Sequence, residues 1–186
     1  MNDDIDDTHQ LDRVIDVPGK HDALGDAEYP RMLRASAQEL GISERVVFTG
    51  HVDNPIELMS VVDVVVHSSI EPEPFGLVIT EAMSAGTAVI AARLGAPMEI
   101  IEDGVNGVLV NPEDPAEFAA GLTRLTDETF RRTLAAEGRR TVVEKYSPET
   151  FAQRVEAVYS RALADAKPLP VSTNLNPQGS QSDLNR

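Results

Sequence analysis

Two glutamates eight positions apart, Glu73 and Glu81, are the residues of this chain whose type and spacing could do chemistry together. A carboxylate accepts two hydrogen bonds side by side, which matches a vicinal diol such as that of a ribose. Between them, Phe75, Gly76 and Leu77 lie where a helix is expected to begin. The free N–H groups of a first helical turn hold phosphates or sugar hydroxyls. The pattern therefore favours a ligand that carries both hydroxyl groups and phosphate.

The elements on either side of Glu73 predict how it is positioned. Residues 62–69 contain four valines and are the strongest strand prediction in the chain. The loop that follows ends at Pro74, and a helix is expected over 75–84, where Gly76 leaves the first turn without side-chain bulk. Because open α/β sheets bind ligands at the carboxyl ends of their strands, the start of this helix is expected to face that crevice.

The remaining sequence repeats this alternation of short apolar runs and helical patterns. Further strands are predicted at 14–17, 46–50, 87–92 and 107–110, and further helices at 29–40, 54–60, 97–101, 115–125, 127–144 and 148–165. Strands that are apolar on both faces indicate a parallel sheet covered on both sides. The predicted fold class is therefore α/β, a doubly wound, Rossmann-like parallel sheet with C-terminal helices.

Composition divides the chain into three parts. Residues 1–11 are polar and acidic and are expected to form a flexible N-terminus. Residues 12–166 carry the strand and helix patterns and are predicted to form one domain. In residues 167–186, Pro, Ser, Asn, Gln and Gly replace most apolar residues, which predicts a disordered tail.

Charge and cysteine content narrow the classes of partner and chemistry. Sixteen Lys and Arg against 31 Asp and Glu give a net charge of −15, which argues against nucleic acids and anionic lipids as partners. The chain has no cysteine, which excludes disulfides, thiol nucleophiles and Cys-based metal sites. With no visible signal peptide and no apolar run near the roughly 20 residues of a transmembrane helix, a cytoplasmic location is expected.

Other interpretations of the polar residues are weaker. The four histidines lack metal-ligand spacing, so no metal site is expected, and His67 is interpreted as a satisfied polar group at the end of a strand. From spacing alone, Glu73 and Glu81 could be two solvated surface acids. A glycoside hydrolase pair would need raised or split carboxyl pKa values in a sugar cleft, which no surrounding residue supports.

Residues 73–86 read Glu-Pro-Phe-Gly-Leu-…-Glu-Ala-Met-…-Gly, and here the chain resembles the retaining, nucleotide-sugar-dependent glycosyltransferases of the GT-B fold, group 1 or family 4. The resemblance covers roughly residues 12–160. Four further blocks are similar to family blocks and occur in family order: residues 45–52, 63–66, 95–101 and 103–110.

The resemblance implies the C-terminal, donor-binding domain of such an enzyme. It implies transfer of a sugar from a nucleotide-sugar to an acceptor hydroxyl with retention, without a metal or other cofactor. Glu73 is the implied catalytic residue, and it would meet the transferred sugar, whereas Glu81 would hold the ribose. The implied donor-binding residues, which contact the sugar, distal phosphate, ribose or base, are Phe75, Gly76, Leu77, Glu81, His51 and Val52.

Two parts of the resembled family have no counterpart in the sequence. These are the acceptor-binding N-terminal domain and the first strand of the C-terminal domain, with its basic Gly-Arg…Lys-Gly segment. The chain is therefore expected to be a truncated or split donor-binding half, with a separately encoded N-terminal half as a candidate partner. The alternative is a non-catalytic nucleotide-sugar-binding module or an inactive gene fragment. Because the missing strand is central in the order 3-2-1-4-5-6, the chain alone is expected to aggregate or to be partly molten.

Overall fold

The structure is a computed structural model that describes residues 14–16 and 28–165, so the predictions for 1–11 and 167–186 lie outside the described residues. The strands are β1 (Val14–Asp16), β2 (Val46–Phe48), β3 (Val64–His67), β4 (Ala88–Ala92) and β5 (Val108–Val110). The helices are α1 (Glu28–Glu39), α2 (Pro55–Val61), α3 (Leu77–Ala85), α4 (Pro97–Ile100), α5 (Pro115–Arg124), α6 (Glu128–Lys145) and α7 (Pro148–Asp165).

The strands form two parallel ladders. β1 pairs with β2, and β3, β4 and β5 pair in that order. Val64 of β3 is opposite Ala88 of β4, and Ile90 of β4 is opposite Val108 of β5. A helix lies between each pair of consecutive strands, as parallel pairing requires. The predicted α/β class with a parallel sheet is confirmed.

The core lies on both faces of β4, whose five residues are all buried. Because side chains alternate along a strand, neighbouring residues of β4 contribute to different clusters. Val89 and Ala91 belong to a cluster with Ile79 and Met83 of α3. Ala88 and Ile90 belong to a second cluster, which contains Val108, Val110, Leu125 and Leu134. This arrangement explains why β4 is apolar throughout rather than alternating with polar residues.

The start of α3 differs from the prediction. The helix begins at Leu77 rather than Phe75, and Gly76 precedes it with φ of +69°. A residue in the left-handed region cannot belong to a right-handed helical turn, so Gly76 is the cap of α3 and not part of its first turn. At the other end Gly86, with φ of +81°, closes α3 as expected.

The chain divides into two compact units, residues 1–147 and 148–186. In the first unit, no hydrogen-bonded ladder connects the β1–β2 pair with the β3–β5 sheet among the residues that the structure describes. In the second unit, the described residues form α7, a helix of 18 residues. None of the described helices combines the length and apolar character that crossing a membrane would require.

Candidate functional site

Glu73 lies in the loop between β3 and α3, and its side chain is 31% exposed. Its Oε1 accepts hydrogen bonds from the backbone N–H groups of Phe75, at 3.1 Å, and Gly76, at 3.0 Å. Its Oε2 lies 3.8 Å from Nε2 of His67, the last residue of β3. The two oxygens of this carboxylate therefore have different partners.

These contacts lower the pKa of Glu73. The N–H groups of Gly76 and then Phe75 stabilise the carboxylate most, and His67 adds a smaller effect, while burial acts in the opposite direction. Glu73 is therefore held in its charged form, in which it only accepts hydrogen bonds. Chemically, such a group binds hydroxyl donors or stabilises positive charge that develops nearby.

The backbone of Glu73 is fixed by the loop that follows β4. The N–H of Ala96 donates to the carbonyl oxygen of Glu73 at 2.7 Å, and Glu73 and Gly95 form an isolated parallel bridge. A Cβ atom at Gly95, where φ is +73°, would lie 2.6 Å from the Glu73 carbonyl oxygen. Only glycine fits this position without movement of the Glu73 backbone. Sequence reasoning did not single out this loop as part of the site, although a glycine soon after a buried neighbouring strand was a usable signal.

At the start of α3, two backbone N–H groups lack a hydrogen-bond partner among the described residues. They belong to Leu77 and Val78, whereas the N–H groups of the next two residues, Ile79 and Thr80, donate to the carbonyl oxygen of Gly76. The prediction of free N–H groups at 75–77 is right for Leu77 and wrong for Phe75 and Gly76. The reason is that the Glu73 side chain reaches forward and accepts both of the earlier N–H groups.

Glu81 lies four residues after Leu77 on α3, so the two share one face of the helix. Its side chain is half-buried, and in the described part of the chain no donor hydrogen-bonds its carboxylate. Ile79, Ala82 and Met83 turn toward the core on the other side of the helix. The Glu81 carboxylate is therefore available to a ligand at the α3 face that begins with Leu77.

His51 and Val52 lie in the loop after β2, and no hydrogen bond or ion pair among the described residues joins them to Glu73. The His51 side chain is 87% exposed, and its Nε2 lies 3.3 Å from Oδ1 of Asp53. Val52 is half-buried. The candidate residues thus form one connected group around Glu73 and α3 and a second group after β2, whose role stays a prediction.

The group around Glu73 and α3 offers both hydrogen-bond acceptors and hydrogen-bond donors. Glu73 Oε2 and the Glu81 carboxylate can accept from hydroxyl groups, and the N–H groups of Leu77 and Val78 can donate to phosphate oxygens. In the described part of the chain, no set of three or more His, Asp or Glu side chains is grouped as a metal site would require. These groups suit a ligand that carries both hydroxyl groups and phosphate.

Comparison with known proteins gives a matching family and several relatives. The family described as "Glycosyl transferases group 1" matches residues 18–141. An uncharacterized glycosyltransferase of Methanocaldococcus jannaschii, MJ1607, is 41% identical over 128 residues, which is 67% of this chain and 33% of that protein. The chain therefore spans about a third of that relative's length.

Two solved structures show the same fold. Alr3699/HepE of Anabaena, crystallised in complex with UDP-glucose, superposes with a TM-score of 0.73 at 33% identity and covers 80% of this chain and 41% of that one. The C-terminal domain of a glycosyl transferase group 1 family protein, LpcC of Francisella tularensis, gives a TM-score of 0.60 at 33% identity, covering 67% of this chain and 65% of that one.

Proposed function

Because the chain belongs to the glycosyl transferases group 1 family, we propose that it supplies the donor-binding half of a retaining glycosyltransferase. In this role it binds a nucleoside diphosphate sugar whose sugar passes to an acceptor hydroxyl. The observation that carries the proposal is the free N–H pair of Leu77 and Val78 at the start of α3, which follows Glu73 and precedes Glu81 along the chain. The similarity to a protein crystallised with UDP-glucose supports the choice of donor class.

The start of α3 binds the phosphates of the donor. The N–H groups of Leu77 and Val78 donate to phosphate oxygens, and the partial positive charge of the helix N-terminus adds to the attraction. This local feature matters because the whole chain carries a net charge of −15 and repels anions at long range.

Glu81 and Glu73 recognise hydroxyl groups on the two sides of the phosphates. Glu81 accepts the two ribose hydroxyls with its two oxygens. Glu73 accepts a hydroxyl of the transferred sugar with Oε2, because its Oε1 is already bonded to backbone N–H groups. As a fixed carboxylate, Glu73 also stabilises positive charge that develops on the sugar during transfer. His51 and Val52 contact the base in this proposal, His51 through its backbone.

The acceptor is bound elsewhere. The chain spans 33% of the Methanocaldococcus protein and 41% of the Anabaena protein, so we assign acceptor binding to an N-terminal half that joins this one. We further propose that donor binding needs no metal, since N–H groups take the role that a cation would have at the phosphates. Transfer by the chain together with such a half tests the reaction, and NMR of the anomeric proton of the product tests retention. A chain that binds the donor but yields no product in that assay is a non-catalytic binding module.

Calorimetric titration of the full chain with UDP and with UDP-glucose tests donor binding. We expect both to bind in the presence of EDTA, and Glu81→Gln to weaken both by about 1.5–3 kcal/mol, the range for hydrogen bonds to a charged group. Glu44→Gln is the matched control, because it also removes one negative charge but lies just before β2 rather than on α3. Equal affinities in wild type and Glu81→Gln would remove Glu81 from the site, and absence of binding to the wild type would refute the proposal.

A further inference from the structure

His67 is a mostly buried histidine at the carboxyl end of β3, and among the described residues its one ion-pair partner is Glu73. Its side chain is 12% exposed, and its Nε2 lies 3.8 Å from Oε2 of Glu73. Its other ring nitrogen, Nδ1, is buried and has no hydrogen-bond partner among the described residues. The interpretation of His67 as a satisfied polar group is therefore wrong for Nδ1.

A buried polar nitrogen without a protein partner is costly, since desolvation of such a group costs about 1–3 kcal/mol. An apolar side chain at the end of β3 would avoid this cost. The position is otherwise suited to an apolar residue, because β3 is Val-Val-Val before His67 and packs beside the fully buried β4. The contact made by Nε2 is the one described feature of His67 that an apolar residue could not supply.

We propose that His67 is a positioning residue that sets the direction of the Glu73 carboxylate toward the donor sugar. Gly95 and Ala96 fix the backbone of Glu73, and the N–H groups of Phe75 and Gly76 fix Oε1. With Oε1 held, the carboxylate can still rotate about that anchored oxygen. Nε2 of His67 limits this rotation because it attracts Oε2, the oxygen assigned to the sugar hydroxyl.

This inference rests on the proposed function for the identity of the ligand, but the contact between His67 and Glu73 is testable without any ligand. The first measurement follows the NMR chemical shift of the Glu73 carboxyl carbon as the full chain is titrated with acid. His67→Leu should move the Glu73 titration midpoint upward, because it removes a group that stabilises the carboxylate. His67→Gln, whose amide can donate a hydrogen bond, should lie between the leucine variant and the wild type.

The second measurement compares UDP with UDP-glucose by calorimetry. Because Glu73 meets only the sugar, His67→Leu should weaken UDP-glucose binding at least threefold and leave UDP binding unchanged, and His67→Gln should recover part of the loss. Thr87→Val is the matched control for general destabilisation. Thr87 is buried just before the neighbouring strand β4, away from the end that pairs with His67, and donates to the carbonyl oxygen of Met59 at 2.6 Å, so its loss should change neither readout.

The outcomes separate this inference from the proposed function. If the wild type binds neither ligand, the proposed function fails and the titration alone decides about His67. A midpoint shift in His67→Leu beyond that in Thr87→Val then supports the positioning role. An unchanged midpoint, or equal loss of UDP and UDP-glucose binding in a folded His67→Leu chain, overturns it.

Discussion

At the scale of single residues, the site depends on how Glu73 is held. Five neighbouring residues fix its backbone and both oxygens: His67, Phe75, Gly76, Gly95 and Ala96. Most of these contacts involve main-chain atoms, so they depend on backbone position rather than on side-chain identity. Substitution therefore acts either on the charge of Glu73 or on the backbone around it.

The loss of stability on replacing the Glu73 charge should depend on pH in a defined direction. The pKa of Glu73 is lowered below its ordinary value of 4.5, so the charged carboxylate stabilises the folded state. That contribution is fully present above about pH 4.5 and is lost as the pH falls through the lowered folded-state pKa. Glu73→Gln should therefore be destabilising at pH 7, with a smaller difference from the wild type at pH 3.

Urea unfolding of both chains at the two pH values measures this difference. Glu44→Gln serves as the reference for the loss of one negative charge from a strongly acidic chain. A Glu73→Gln penalty that stays the same or grows as the pH falls would contradict the role given to the backbone N–H groups.

Gly95 should tolerate no side chain. A Cβ at this position would lie 2.6 Å from the carbonyl oxygen and 2.9 Å from the nitrogen of Glu73, both main-chain atoms. Gly95→Ala should cost more than the roughly 1–3 kcal/mol of left-handed strain, because Glu73 must also move. Gly104→Ala carries the same strain at φ of +75°, and its nearest neighbour is a flexible arginine end at 3.6 Å. Thermal melts and UDP-glucose titration of both variants should show a larger loss for Gly95→Ala, and equal losses would contradict the backbone clamp.

At the scale of elements, α4 lies directly beside the cap of α3. A Cβ at Gly76 would lie 2.6 Å from Cδ1 of Ile100, and Ala96, at the cap of α4, is 3.7 Å away. The two short segments are therefore packed closely enough that the α3 cap depends on a side chain 24 residues later. A shift of α4 would alter the position of the Leu77 and Val78 N–H groups.

A double-mutant cycle should reveal this contact. Ile100→Val removes Cδ1 and should cost about 0.5–1.5 kcal/mol by itself. Gly76→Ala should be clearly destabilising alone, through the clash and the positive φ of +69°. In the double variant the clash is relieved, so the combined cost should be smaller than the sum of the single costs. If the two changes in the free energy of unfolding simply add, the Ile100 side chain does not clash with a side chain at position 76.

The elements were predictable because they depend on local patterns. The valine-rich run at 62–69 correctly predicted β3, and Gly86 correctly predicted the end of α3, whereas the start of α3 was predicted two residues too early. The predicted role of Gly76, as a residue without side-chain bulk in the first turn of the helix, was wrong. Gly76 lies before the helix, adopts a positive φ, and leaves space that a Cβ atom would take from Ile100. The clamp at Gly95 and the unpartnered Nδ1 of His67 depend on residues distant in sequence, which local periodicity does not report.

At the scale of the whole molecule, the two parallel ladders leave β3 paired on one edge within the described residues. The middle of this strand is apolar, and Val66 is 46% exposed. An unpaired, apolar strand edge favours association with other strands. This arrangement agrees with the expectation that the chain studied alone tends to aggregate, which remains a prediction.

A lysine on β3 should reduce self-association. Val66→Lys places a charge on the edge strand, which natural proteins use to block edge pairing. Val143→Lys is the matched control, because Val143 is 60% exposed but lies on helix α6. Sedimentation velocity over a range of concentrations should show less association for Val66→Lys than for the wild type, and no change for Val143→Lys. Equal association in all three chains would mean that the β3 edge is not the contact.

The contacts that fix Glu73 all come from one uninterrupted stretch of the described sequence, from His67 to Ala96, and the Ile100 contact extends it by four residues. The group proposed to meet the sugar and phosphates is therefore encoded as one block, which recombination between related genes can exchange without separating its parts. The loop of His51 and Val52 lies before that block, so the same exchange leaves it behind. If the proposed roles hold, exchange of this block would change the residues that meet the sugar and leave those that meet the base in place.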